Sequence, residues 1–296
     1  MSADNRNRDP REMGPKPPFP QQSISHPGSE RELNPPADHG ESSYQGHGRL
    51  KDRVAIVTGG DSGIGRAVCI AFAKEGADVV ISHLPEEKED AAVTAKHVLA
   101  AGRKAISMPG DIGKVDYAQS LVDRAIREFG RLDLVVNNAA YQMVRDDIGK
   151  VSPEELEHTF RTNVFGTFFL CQAAVPKLKP GAVILNTCSI EGFTPEPGLL
   201  AYAATKAALV NFTKNLAKQA AENGVRVNGV APGPVWTPLI PSTMPEEKTK
   251  KFGENTAFKR PAQPVELARI YVFLASEDAS YVTGEIYGAT GGRMPF

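Results

Sequence analysis

A chain of 296 residues is long enough for one large α/β domain with a buried core, and 41% hydrophobic with 23% charged residues is ordinary for a globular protein. Its net charge of −1, with no basic block, argues against nucleic acid or an anionic membrane surface as a partner. No apolar run approaches the ~20 residues needed to span a bilayer, and the polar N-terminus lacks the apolar core of a secretory signal.

Residues 1–50 read as an N-terminal arm, rich in Pro, Gly, Ser and charge and poor in periodicity. Such a segment stays disordered or lies along a folded body, with Phe19, Leu33 and Tyr44 as anchor points. The pattern changes at Lys51, where a folded unit covering 51–296 begins. Val54–Val57 is a strand feeding a Gly-rich turn, and a helix follows over 64–75 with Gly76 as its C-cap. Strands at 79–81 and 105–108 alternate with helices at 86–101 and 115–129. A strand at 132–136 precedes helices at 153–161 and 163–178. A fifth strand at 182–186, a helix from Tyr202 to Asn223, a strand at 225–230, a helix at 264–275 and a strand at 285–289 complete the series.

Strands alternating with helices specify a parallel sheet covered on both faces. Right-handed crossovers make it a Rossmann-like, doubly wound, seven-stranded fold. Ligands then lie at the carboxyl ends of the strands.

The cysteines, Cys69, Cys171 and Cys188, are odd in number, far apart and set in apolar patterns, so they read as buried free thiols in a reducing, cytoplasmic compartment. Their spacing to one another and to His matches no metal site, and none is expected. His26, His39 and His47 lie in the arm, where solvation explains them.

The first strand runs into Thr58-Gly-Gly-Asp-Ser-Gly-Ile-Gly65. Glycines 59, 63 and 65 allow a tight turn and a close approach of backbone to a pyrophosphate at the helix N-terminus. Downstream, Tyr202-Ala-Ala-Thr-Lys206 puts a phenol and an ammonium one helical turn apart. A phenol titrates near ~10, and a neighbouring ammonium is expected to pull that toward neutrality. Ser189, thirteen residues before Tyr202, then holds a substrate oxygen against the phenol. By itself a Tyr and Lys four apart is as readily a solvated helix edge.

Together, Thr58-Gly-x-x-x-Gly-Ile-Gly65, Asn137-Asn-Ala139, Ser189, Tyr202-x-x-x-Lys206 and Pro232-Gly233 with Thr237 resemble the short-chain dehydrogenase/reductase family over residues 50–292. The arm, the Gly-Gly-Asp-Ser-Gly-Ile-Gly turn and the stretch Asn228–Pro241 are more closely similar to the glucose and ribitol dehydrogenase homologues within it. The resemblance implies an NAD(P)-dependent oxidoreductase interconverting an alcohol and a carbonyl on a polyol, sugar, aldehyde or ketone. Tyr202 would be the general acid or base, Lys206 would assist it and bind the nicotinamide ribose, and Ser189 would orient the substrate. Asn163 would complete a proton relay through water, although an Asn at a helix head equally suits an N-cap.

The resemblance also implies cofactor contacts from the Gly turn (Gly59, Ser62, Gly63, Ile64, Gly65), from His83 and Leu84, from Asp111 and Ile112, and from Asn138 and Ala139. Tyr202, Lys206, Pro232, Gly233, Val235 and Thr237 complete that set, Thr237 on the carboxamide. Asp111 reads equally as a cap, and Asn137 equally as a pin between strands. Cofactor choice leans to NAD: no Arg follows the second strand, and Asp61 would repel a 2′-phosphate. His83, if protonated, would instead accept that phosphate.

The segment from Pro234 to Arg260 reads as a lid over the substrate. Gln142, Glu191, Phe193 and Trp236 are candidates for the pocket walls, each also explicable as packing. The resemblance implies a homotetramer built on helices near 154–178 and 202–222, with residues 291–296 reaching a neighbour. The alternatives are a nucleotide-binding regulatory module without turnover, and a 3-oxoacyl-carrier-protein reductase. The arm and the acidic turn fit the second less well.

Overall fold

The computed structural model describes residues 8–293; the last three residues of the C-terminal segment expected to reach a neighbour lie outside that range. Seven strands form one all-parallel sheet in the order β3-β2-β1-β4-β5-β6-β7. They are β1 (Val54–Thr58), β2 (Asp78–His83), β3 (Ala105–Pro109), β4 (Leu134–Asn137), β5 (Val183–Thr187), β6 (Arg226–Pro232) and β7 (Ile286–Ala289). All five residues of β1 and of β5 are buried, which is why these strands read as continuous Val/Ile runs.

Alternate residues along each strand feed opposite cores. On one face, Ala55, Val57, Val79 and Ile81 pack against α1 (Gly63–Lys74), α2 (Lys88–Ala100) and α9 (Pro264–Ala275). On the other, Val54, Ile56, Val80 and Ile184 pack against α3 (Val115–Phe129), α5 (Gly166–Ala174) and α6 (Leu200–Ala221). The sheet order reverses between β1 and β4, so the carboxyl ends of these two strands open a crevice.

The reading departs from the structure between residues 153 and 178. Instead of two separate helices, α4 (Pro153–Phe160) passes through a π-turn (Arg161–Phe165) directly into α5. The Gly166 N–H bonds back to Arg161 O across that wider turn. The helix tightens at Val175–Lys177, where Pro176 removes an N–H donor. The lid contains two short helices, α7 (Leu239–Thr243) and α8 (Glu246–Lys250).

The arm lies along the body. Its three anchor residues are buried: Phe19 stacks on Trp236 with ring centres 4.0 Å apart, Leu33 joins the same cluster, and Tyr44 enters the main core. The buried Glu75 carboxylate accepts from Tyr44 Oη, from the His47 and Arg49 backbone N–H groups, and from the Arg49 guanidinium. Among the described residues no helix is long and apolar enough to cross a membrane.

Candidate active site

A cleft of about 1130 Å³ opens at the carboxyl ends of the strands. One wall is the Gly turn. A Cβ added at Gly65 would lie 1.8 Å from Gly59 O, so no larger residue fits without moving the backbone. Gly63 holds a φ of +48°, and a Cβ there would meet Thr237 Cγ2 at 2.9 Å. The turn after β1 and the segment after β6 are therefore in contact across the cleft. Ser62 is the N-cap of α1 but makes no side-chain capping bond. Gly59, Ile64, Asn138 and Ala139 face the same cavity.

Thr58 ties this wall together. Its Oγ1 accepts from the N–H groups of Asn138 and Ala139 at 2.9 and 3.0 Å. Asn138 Nδ2 donates to Thr58 O, and its Oδ1 accepts from Thr187. Asn137 takes the pinning role: its amide donates to Asn186 Oδ1 on β5 at 2.8 Å.

His83, Leu84, Asp111 and Ile112 line the cleft where β2 and β3 end. The surroundings of His83 disfavour the cation that a 2′-phosphate would pair with. Burial lowers its pKa, Nδ1 bonds Leu84 O, and Nε2 bonds Ser107 Oγ at 2.7 Å. Asp111 caps its own turn, accepting from Gly113 N at 2.8 Å. Asp61 is almost fully buried, and among the described residues neither carboxylate oxygen has a hydrogen-bond partner of ordinary geometry. Burial pushes its pKa up to about 6, partly offset by the nearby Ser62 hydroxyl. Glu87 rises to about 8 through burial and the charge of Asp61.

The opposite end holds the expected catalytic group. Ser189 follows β5, and Tyr202 and Lys206 sit in the first two turns of α6. The Ser189 hydroxyl lies close enough to the Tyr202 phenol to stabilise its ionised form, while the Ser189 oxygen accepts from Glu191 N at 3.1 Å. Lys206 Nζ lies 5.4 Å from the Tyr202 ring centre and donates to Thr187 O at 2.7 Å. The phenol does not move toward neutrality as the sequence suggested. Burial drives it above its ordinary value, with the nearby Ser189 hydroxyl pulling the other way. Burial also lowers the Lys206 ammonium, to about 8, because its contacts are a carbonyl and an aromatic face rather than a carboxylate.

Asn163 lies inside the π-turn, not at a helix head, so the N-cap alternative falls. Its Oδ1 accepts from Tyr141 N at 2.7 Å, and its Nδ2 donates to Tyr141 O and Thr205 Oγ1, both at 2.9 Å. Single π-turns recur at functional positions in helices. Thr205 has no role in the sequence reading, although it sits within the Tyr202–Lys206 motif. Its hydroxyl donates to Tyr202 O at 2.6 Å.

Of the wall candidates, Gln142 and Glu191 face the cleft. Gln142 Nε2 donates to Thr243 Oγ1 of α7, and Glu191 Oε2 accepts from Glu196 N. Trp236 does not line the cleft: it is fully buried under Phe19, with Nε1 donating to Pro35 O at 2.8 Å. Phe193 packs instead with Cys188, Leu209 and Ala231. Pro232, Gly233, Val235 and Thr237 line the cleft at the start of the lid. Val235 is held by a bridge to Ala262. His26 and Pro27, from the arm, also line it.

The glycine cradle, the start of α1 without a bond from its own Ser62 side chain, and the long cleft fit a dinucleotide, with the Ser189–Tyr202–Lys206 group at its far end. Residues 59–293 match a family model described as Enoyl-(Acyl carrier protein) reductase. The chain is 50% identical to the Uncharacterized oxidoreductase YghA of Escherichia coli over 276 residues, covering 93% of this chain and 94% of that protein. It is 43% identical to Glucose and ribitol dehydrogenase of Daucus carota over 280 residues, covering 93% and 96%. Among solved structures, a short chain dehydrogenase from Burkholderia cenocepacia in complex with NADP superposes with a TM-score of 0.77 at 30% identity, covering 83% of this chain and 99% of that one.

Proposed function

Because the chain belongs to the short-chain dehydrogenase/reductase family of oxidoreductases acting on CH–OH groups, we propose that it interconverts an alcohol and a carbonyl of a polyol, sugar or small aldehyde, with Tyr202 as the proton carrier. The observation that carries this reading is the convergence of Ser189, Tyr202 and Lys206 at one end of a dinucleotide-sized cleft.

A bound nicotinamide dinucleotide supplies or takes up the hydride. Gly59, Ile64 and Gly65 hold its pyrophosphate, with Ser62 beside them and Gly63, at φ +48°, shaping the turn. His83, Leu84, Asp111, Ile112 and the Asn138–Ala139 backbone hold its adenosine half. Pro232, Gly233, Val235 and Thr237 hold the nicotinamide half. Ser189 fixes the substrate oxygen beside the phenol. Tyr202 gives its proton to that oxygen in reduction and takes it back in oxidation. Lys206, still largely protonated at pH 7, binds the ribose and favours the phenolate through the ring 5.4 Å away. Asn163 fixes the π-turn against α6, where a water chain relays the proton.

Gln142 and Glu191 give the substrate end polar walls, which suits hydroxyl-rich substrates. Asp61, Glu86 and Glu87 surround the end of β2 and support NAD over NADP, although burial keeps part of that charge neutral near pH 7. The exposed Leu156 on α4, Phe165 in the π-turn and Phe168 on α5 support assembly through this region, as a homotetramer. The buried free cysteines support a reducing, cytoplasmic setting.

The test is purified protein with NAD(H) or NADP(H) and a panel of polyols, aldoses and aldehydes. Turnover with at least one pair supports the reading. Cofactor binding without turnover on any substrate, unchanged in Tyr202→Phe, points to a nucleotide-binding module instead.

A further inference from the structure

The arm reaches both sides of the cofactor cleft. At the lid, Phe19 stacks on Trp236, Phe19 N donates to Lys250 O at 2.8 Å, and Ile24 N donates to Pro241 O at 3.1 Å. Gly28 is pressed on the lid, since a Cβ there would lie 2.9 Å from Pro238 O. Two residues later the chain is on the other wall. Glu30 Oε1 accepts from the Gly63 N–H of the Gly turn at 2.6 Å. Ser29 Oγ and Glu30 N both donate to Asp90 Oδ2 on α2. Asp90 pairs with Arg66, whose guanidinium donates to Asp61 O at 2.8 Å. Between these anchorages His26 and Pro27 face the cavity, with the His26 ring edge-on to Tyr141 at 5.1 Å.

A Gly-rich turn loses much conformational freedom when it is ordered, so a contact that orders it before binding raises affinity. Glu30 makes such a contact on Gly63, the glycine at φ +48°. A carboxylate beside a pyrophosphate site would normally repel the ligand. Here the buried His39 donates to Glu30 at 2.9 Å, and Arg66 lies near enough to stabilise the carboxylate charge. Burial alone would discharge His39, but its bonds to Glu30 and Glu41 raise it to about 9, so it stays cationic at neutral pH. His39 and Arg66, shared with Glu41 and Asp90, thus offset part of the Glu30 charge, and Glu30 acts chiefly by geometry.

We propose that Glu30 is a positioning residue for the cofactor turn, and that the strap from Ile24 to Glu30 couples the lid to that turn. This rests on the dinucleotide reading of the cleft.

The test is stopped-flow release of NADH and NADPH from the full-length protein and from Glu30→Ala, Glu30→Gln, Phe19→Ala and the Phe19→Ala/Glu30→Ala double variant. Glu30→Ala is expected to speed release about tenfold, the scale of one charge-assisted hydrogen bond. Glu30→Gln, which keeps a carbonyl acceptor, recovers most of that loss. Phe19→Ala, on the lid side of the strap, also speeds release. The double variant falls short of the product of the two, because both cut one strap. Release unchanged in both single variants while the protein binds cofactor overturns this inference alone. Multiplicative effects overturn the coupling. A wild-type protein that binds neither cofactor overturns the dinucleotide reading and the inference with it.

Discussion

The amide of Asn163 donates to Thr205 Oγ1 at 2.9 Å, and the same Thr205 hydroxyl donates to Tyr202 O at 2.6 Å. The π-turn is thus bolted to the helix carrying the phenol, one residue before Lys206. Asn163→Ala leaves the Tyr141 N–H and the Thr205 hydroxyl short of a partner in a buried place. The expected cost is about 1–3 kcal/mol of stability. Activity should fall about tenfold or more while cofactor Kd changes little, as read by steady-state kinetics beside a cofactor titration.

Gly65 tests the turn by sterics. A Cβ there lies 1.8 Å from Gly59 O, a backbone atom that cannot swing away. Gly65→Ala should destabilise the fold by about 1–3 kcal/mol and remove measurable cofactor binding at concentrations that saturate the wild type, read by calorimetry.

The arm should dissociate from the body in acid. Burial alone would raise Glu75, but hydrogen bonds from Arg49 and Tyr44 and from the backbone at 47 and 49 hold it near about 2. A depressed carboxylate contributes stability that is present above its ordinary pKa and is lost as pH falls through the folded value. Limited proteolysis of the arm should therefore quicken between about pH 4.5 and pH 2 in the wild type. In Glu75→Gln it should be fast already at pH 7, because the Arg49 charge then lacks its partner.

Cofactor preference should depend on pH. Asp61 and Glu87 have pKa values raised to about 6 and about 8, so they gain charge as pH rises through that window. Greater negative charge at the end of β2 repels a 2′-phosphate more than a ribose hydroxyl. The ratio of NAD to NADP affinity should rise from pH 6 to pH 9 and flatten in Asp61→Asn. A ratio that falls, or an Asp61→Asn profile identical to wild type, would contradict this assignment.

The strand and helix order was legible because buried parallel strands are Val/Ile runs of strand length, and the helices between them carry their own stop and start signals, such as Gly76 after α1 and Pro264 opening α9. The Gly turn, Ser189, Tyr202 and Lys206 were legible because their spacing is local. The π-turn was not: Arg161–Phe165 has no breaker residue, and the widened turn is held by the distant contacts of Asn163 with Tyr141 and Thr205. Trp236 misled because its neighbours in sequence line the cleft, whereas its partner, Phe19, is more than two hundred residues away. Glu30 was illegible for the same reason: nothing local connects an arm carboxylate to Gly63. The direction of the Tyr202 shift depends on how densely α6 is enclosed, which a motif does not encode.

The central claim is that Tyr202 carries the proton to and from the substrate oxygen. Single-turnover oxidation of the best polyol substrate by Tyr202→Phe, with cofactor binding measured on the same sample, tests it most directly. The expected result is a rate of reduced-cofactor formation about 10²–10⁴-fold below wild type, with cofactor Kd within a few fold. A Tyr202→Phe rate within a factor of two or three of wild type would contradict it.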